Sequence, residues 1–120
     1  MTRINCIPAE ELSRQHLVAE WRELPRVFRL AAAACSSGRR LKAPERYTLG
    51  AGHVTFFYTR LGFIRRRWQE LREEMLRRGY TPGFDTPPEF AVCEDWQRDW
   101  TPDADAISIN RARIAERSAP

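Results

Sequence analysis

The sequence predicts an all-α protein: one compact domain over residues 1–120, with three main helices joined by long irregular connections. Three observations support this. Apolar residues recur at helical spacing in two long stretches, and a Thr-Pro-Asp start signal opens a third stretch at residue 101. No strand-length alternation, internal repeat or low-complexity tract interrupts them. Glycine and proline cluster between the periodic stretches, where connections belong. A chain of 120 residues fits a single domain and can bury a modest core without disulfides or metal.

Residues 1–7 read as extended, with Ile4 and Ile7 as anchors that would hold the amino terminus by packing. Pro8 starts a short helical turn with Glu10 and Glu11 inside it. Ser13 is the expected N-cap of the first long helix, which should run to Ser36 or Ser37 and stop at Gly38. Leu17, Trp21, Leu24 and Phe28, spaced by four, three and four, form its apolar stripe. His16, Glu20, Glu23 and Arg26 trace a neighbouring polar stripe. Pro25 lacks an N–H and crowds the carbonyl of Trp21, so a kink is expected there. Costly local geometry flanked by Arg22, Glu23 and Arg26 marks a candidate site.

Gly38–Arg46 reads as a basic loop carrying Arg39, Arg40, Lys42 and Arg46, solvated or in contact with phosphate. Leu49–Tyr58 is a glycine-punctuated turn followed by an aromatic cluster; no Gly-Lys-Ser/Thr follows, which excludes a phosphate-binding P-loop. Phe56, Phe57 and Tyr58 are expected in the core. The second helix spans 60–78: Leu61, Ile64, Trp68, Leu71 and Met75 repeat at three and four, and Gly79 ends it. Glu73–Arg77 and Glu74–Arg78 are expected ion pairs, and Arg65, Arg66 and Arg67 should fan over a solvated face. Tyr80–Trp100 has no clean period but carries the anchors Phe84, Phe90, Trp96 and Trp100. Thr101 is the expected cap of the last helix, with Pro102 at its first position. Ile107 and Ile114 share one of its faces, and Arg113 and Arg117 sit one turn apart on another.

Composition narrows the function. No apolar run approaches the ~20 residues of a membrane span, and Met1-Thr2-Arg3 leads into a mixed segment rather than a signal peptide. Three widely spaced cysteines without a Cys-x-x-Cys, and two histidines without a cysteine at ligand spacing, favour free thiols in a reducing cytoplasm over a metal site. The net charge is +4, and Lys42 is the only lysine among 20 basic residues. Arginine's planar fork suits phosphate, so a nucleic-acid partner and an arginine-favouring genome both account for this bias. The scarcity of lysine also limits amine chemistry to Lys42 and the chain terminus. An α-amine titrates near ~7.7–8.0 and a lysine near ~10.4, so the terminus offers far more free base. Removal of the initiator methionine before the small residue Thr2 would expose the Thr2 amine.

The opening Met1-Thr2-Arg3-Ile4-Asn5, then Gln15-His16-Leu17, Ala19-Glu20, Arg22 to Phe28 and Leu49 to Tyr58 together resemble the pyrimidine-dimer DNA glycosylases of the phage ultraviolet-repair type. The resemblance is strong over 1–28 and 49–58, fair to Gly79 and weak beyond. It implies a three-helix domain with its amino-terminal segment threaded between helices, and a bifunctional enzyme, glycosylase and abasic-site lyase, that needs no metal or other cofactor. It implies that the Thr2 α-amine attacks C1′ of the damaged nucleotide to form a Schiff base, with Glu23 as the essential carboxylate. Arg3, His16, Arg22 and Arg26 match family positions that contact or position DNA; Arg113 matches a family arginine, and Arg117 stands where the family has a lysine. The partner implied is damaged double-stranded DNA, engaged by a cytoplasmic, nucleoid-associated monomer with no membrane attachment.

Elementary chemistry fits these roles. An amine nucleophile splits glycosidic cleavage into easier covalent steps, and one carboxylate can stabilise the oxocarbenium charge and then move protons during β-elimination. Nearby arginines bind phosphate and hold the amine deprotonated by like-charge repulsion. The target atoms lie inside the base stack, so a nucleotide must be extruded or the duplex bent. Three departures bear on lesion choice. The phage-type protein has an aromatic, lysine-rich carboxyl tail, whereas this sequence stops at Pro120, and both the Gly38–Tyr47 loop and the region after Gly79 differ. Oxidised or ring-opened purines and plain abasic sites are therefore alternative substrates. A non-catalytic DNA-binding protein that retains the fold, and a helical interaction module, are the rival classes.

Overall fold

Four α-helices stand among the residues that the computed structural model describes, which are 4–38, 43–83 and 94–118. They are α1 (Arg14–Ser36), α2 (His53–Tyr58), α3 (Leu61–Arg77) and α4 (Ala104–Ser118), with single 3₁₀ turns at Ala9–Glu11 and Glu94–Trp96. The three long helices fall where expected; α2 is an addition. The expectations for Thr2, Arg3, Arg39, Arg40, Lys42, Phe84, Phe90 and Cys93 lie outside the described residues. Among the described residues there is no strand, only an isolated antiparallel bridge between Arg60 and Gln97. No helix of the described residues is long and apolar enough to cross a membrane.

Ser13 caps α1 as its sequence predicts: its hydroxyl accepts from the His16 backbone N–H at 3.3 Å. The helix carries Pro25 in its interior and buries Leu17, Trp21, Leu24, Val27, Phe28 and Ala31. α3 lies against α1, with the Trp21 and Trp68 rings 5.2 Å apart. The six-residue α2 is short and rich in aromatic and β-branched side chains, a poor helix by propensity. Its hold comes from tertiary packing: Phe56 and Phe57 are fully buried against Tyr47, Phe63 and Trp100. Trp100 thereby pins the 94–100 segment to the core. At the same junction Gly62 donates its N–H to the Arg98 carbonyl at 3.0 Å, and a Cβ there would meet that oxygen at 2.9 Å.

Four expectations are corrected. α4 starts at Ala104, and its cap is Asp103, whose carboxylate accepts from the Ala106 N–H at 2.8 Å, not Thr101. Arg77 pairs with Glu74, which also holds Arg78, while Glu73 accepts from Gln69. The arginine run of α3 is only partly a solvated face: Arg66 is exposed, as expected, and bridges to the exposed Asp99, whereas Arg67 is almost wholly buried. The thiols also divide. Cys6 is free and buried, its pKa pushed up to about 12 by that burial, whereas Cys35 is disulfide-bonded rather than free.

Candidate functional site

The site is built around the first described residues of the chain. Ile4, Asn5, Cys6 and Ile7 are all buried, although they form neither helix nor strand. Backbone polar groups buried outside regular structure need partners, and side chains from three helices supply them. The Ile4 N–H donates to His53 Nε2 of α2 at 2.9 Å, and the Tyr47 hydroxyl donates to the Ile4 carbonyl at 3.4 Å. Asn110 of α4 accepts from the N–H groups of both Cys6 and Ile7, at 2.7 and 3.1 Å. Arg67 of α3 donates to the Ile7 carbonyl at 2.6 Å. The amino-terminal segment therefore threads between helices, as the fold expectation stated.

A buried ion pair underlies this segment. Arg67 Nε and Nη2 donate to the two carboxylate oxygens of Glu20 at 2.7 and 2.9 Å, with side chains 1% and 0% exposed. Burial alone would pull the Arg67 pKa down; the carboxylates of Glu20 and Glu70 outweigh it and raise the value above the usual guanidinium range. Glu20 also accepts from Asn5 Nδ2 at 2.9 Å, and Asn110 Nδ2 donates to Asn5 Oδ1 at 2.8 Å. Asn5 thus bridges α1 and α4. Each end of that bridge lies one helical turn before a sequence-predicted site residue, since Glu23 follows Glu20 and Arg113 follows Asn110 by three positions.

The other candidates occupy the same helices. Glu23 is 37% exposed, with Arg26 Nη1 at 3.9 Å; Arg22 and Arg26 are exposed on α1. Half-buried Tyr58 at the end of α2 has its hydroxyl pKa raised by burial, an effect the Arg26 charge opposes. His16 is half-buried with Nδ1 3.1 Å from the Ser13 hydroxyl. Arg113 is half-buried, 3.9 Å from Glu116, and Arg117 is exposed in the last turn of α4. Arg22 also borders a cavity of about 480 Å³ with Arg14, Trp21, Met75 and Tyr80, where the Arg14 guanidinium lies 5.6 Å from the centre of the Tyr80 ring.

Arg14, Glu20, His53, Arg67 and Asn110 were not among the sequence-predicted site residues. Glu20 and Arg67 carried a faint signal, as charges at the edges of apolar helical stripes. Asn110 and His53 carried none, because their partners are backbone groups roughly 50 to 100 residues away in sequence. The arrangement presents a carboxylate flanked by arginines on α1, arginines on α4, and an anchored amino-terminal segment between the two helices. Compared with known families, residues 1–86 match the family model described as pyrimidine dimer DNA glycosylase.

Proposed function

The chain belongs to the pyrimidine dimer DNA glycosylase family, a family of DNA repair glycosylases acting on damaged DNA, and from that premise we propose a base-excision enzyme that also cleaves the strand. The nucleophile is the Thr2 α-amine. It forms a bond to C1′ as the glycosidic C–N bond breaks, losing a proton while the departing base gains one. Opening of the sugar ring at the C1′–O4′ bond gives the Schiff base. Glu23 stabilises the oxocarbenium charge of the first step and takes the C2′ proton in the β-elimination that expels the 3′ phosphate. Water then hydrolyses the imine and restores the amine. Arg3, His16, Arg22, Arg26, Arg113 and Arg117 hold the phosphates and position the duplex. The protein acts as a monomer on damaged double-stranded DNA in the cytoplasm, and pyrimidine dimers are its substrate.

One observation carries this reading: Asn5 is held between Glu20 of α1 and Asn110 of α4. An extended chain spans at most about 3.3–3.6 Å per residue, so the tether from that anchor to Thr2 can reach no further than about 11 Å. Glu23 is three residues beyond Glu20, a rise of about 4.5 Å along α1. The tether is therefore short enough to bring amine and carboxylate to one sugar.

The test is covalent trapping. Protein with a confirmed Thr2 terminus, incubated with abasic or ultraviolet-irradiated duplex and borohydride, should yield a stable protein–DNA adduct. Glu23→Gln should bind the duplex as the wild type does and fail to cleave it. Absence of any adduct would refute the amine mechanism, and salt-sensitive binding without turnover would leave a non-catalytic DNA binder.

A further inference from the structure

We propose that His53 is a positioning residue for the amino-terminal nucleophile, an inference that rests on the amine mechanism above. Its ring is 4% exposed and spans two backbone groups. Nε2 accepts from the Ile4 N–H at 2.9 Å, and Nδ1 faces the Thr48 carbonyl at 2.8 Å. A carbonyl accepts and an amide donates, so the pair of contacts selects the neutral tautomer with its proton on Nδ1. Tyr47 and Phe57 pack edge-on against the ring at 5.6 and 5.5 Å and fix its plane. The Tyr47 hydroxyl then holds the Ile4 carbonyl. Both polar backbone groups of Ile4, two residues from Thr2, are thus gripped from the segment that runs into α2, and the Ile4 side chain is fully buried.

The glycine turn before α2 aims this ring. Gly50 and Gly52 have φ of +78° and +88°, and the His53 N–H donates back to the Gly50 carbonyl at 3.1 Å. Gly52 also approaches Pro44 so closely that a Cβ would meet its Cγ at 2.9 Å. Two glycines in the left-handed region, on either side of Ala51, start α2 at His53 and deliver the imidazole inward. The Gly50-Ala51-Gly52-His53 stretch, which is no phosphate loop, acquires its purpose here: it locks the tether of the nucleophile. Only two residues separate that lock from the amine, so a shift of the Ile4 amide passes to the reacting nitrogen. A misplacement of about 1 Å in a reacting group costs on the order of 10²-fold in rate.

Three variants separate the contacts. His53→Phe keeps a ring and removes both polar atoms. His53→Asn places an amide near Nδ1 and leaves the Ile4 N–H without its acceptor. His53→Gln places an oxygen near Nε2 and keeps that acceptor. Single-turnover cleavage of an abasic duplex and the rate of borohydride trapping should fall about 10²-fold in the Phe and Asn variants. The duplex concentration giving half-saturation should stay at the wild-type value, and His53→Gln should recover most of the rate. Hydrogen exchange of the Ile4 amide should be fast in the Phe and Asn variants and slow in the Gln variant and the wild type. If His53→Phe does not fold, the Asn–Gln comparison decides. No adduct from the wild type refutes the amine mechanism and this inference with it. Wild-type trapping with an undiminished rate in the Asn or Phe variant overturns this inference alone, as does equal loss in all three folded variants.

Discussion

Removing one partner of the Glu20–Arg67 pair tests how the amino-terminal segment is held. Arg67→Met deletes both donors to Glu20, the donor to the Ile7 carbonyl and a 3.1 Å contact to Glu70. Glu70 is 45% exposed, so that last contact contributes little. The Ile7 carbonyl left without its donor costs about 1–3 kcal/mol. The larger effect is Glu20, whose side chain is 0% exposed and would keep a buried charge with only Asn5 to answer it. Breaking such a pair costs about 3–5 kcal/mol in total. With a urea slope near ~2 kcal/mol/M, the unfolding midpoint should drop by about 2 M. Glu20→Leu should cost a similar amount. The double variant removes both charges, so its cost should fall short of the sum of the single costs by about 2–3 kcal/mol. Because the Arg67 pKa is raised, the pair's stabilisation from this side is fully present below the unfolded guanidinium value and is lost only as pH rises beyond it. Urea titrations at neutral pH, read by circular dichroism, therefore measure it whole. A single variant that loses less than about 1 kcal/mol, or strict additivity in the cycle, would refute the argument.

Two further outcomes follow from the surface and the carboxylates. Arg22→Ala and Arg26→Ala, both at exposed positions on α1, should weaken binding to a non-cleaved duplex and each lower the log–log salt slope by about 1; unchanged slopes would take both residues out of the phosphate contacts. The Glu74 pKa is held below 4.5, first by its hydrogen bonds from Arg77, against burial, and with Arg78 adding to the effect. A depressed carboxylate contributes stability that is fully present above its unfolded value and is lost as pH falls through its folded one. Glu74→Gln should thus be less stable than the wild type at neutral pH and lose less on acidification below 4.5, as read by thermal unfolding. Parallel acid profiles for the two proteins would contradict this.

The sequence made the helices legible because local rules decide them. Ser13, the apolar stripes and Gly79 place α1 and α3 almost to the residue. It failed where non-local partners decide. On α3, a helical wheel puts Arg65 and Arg67 at opposite edges of the stripe formed by Ile64, Trp68 and Leu71, and nothing local chooses between them. The choice is made by Glu20 on α1, 47 residues away, which draws Arg67 inward. The six residues of α2 fail the periodicity test for lack of length, and their helix is dictated by where Phe56 and Phe57 must go. Asp103 and Thr101 are both acceptable caps by residue type, and the carboxylate contact to Ala106 settles the matter. Of the candidate site, Arg22, Glu23 and Arg26 were legible as charges around a helix-interior proline. The network that anchors the segment beside them was not, because its donors and acceptors pair across the whole chain.

The composition of that network bears on why it exists. An apolar strand edge or a helical turn would bury residues 4–7 at lower cost than Glu20, Arg67, Asn110 and His53, each of which gives up hydration to serve this segment. A buried ion pair is a weak source of net stability compared with well-packed apolar side chains of the same volume. What it supplies is geometry: a bidentate fork, an amide that accepts twice from neighbouring N–H groups and a single imidazole tautomer admit one backbone path. Chain termini are ordinarily the least constrained part of a domain. Here the constraint is concentrated within a few residues of the terminus, and it is directional. That distribution supports the proposal that the terminal amine meets one carbon atom of a sugar, a demand that covering phosphates with arginines does not make.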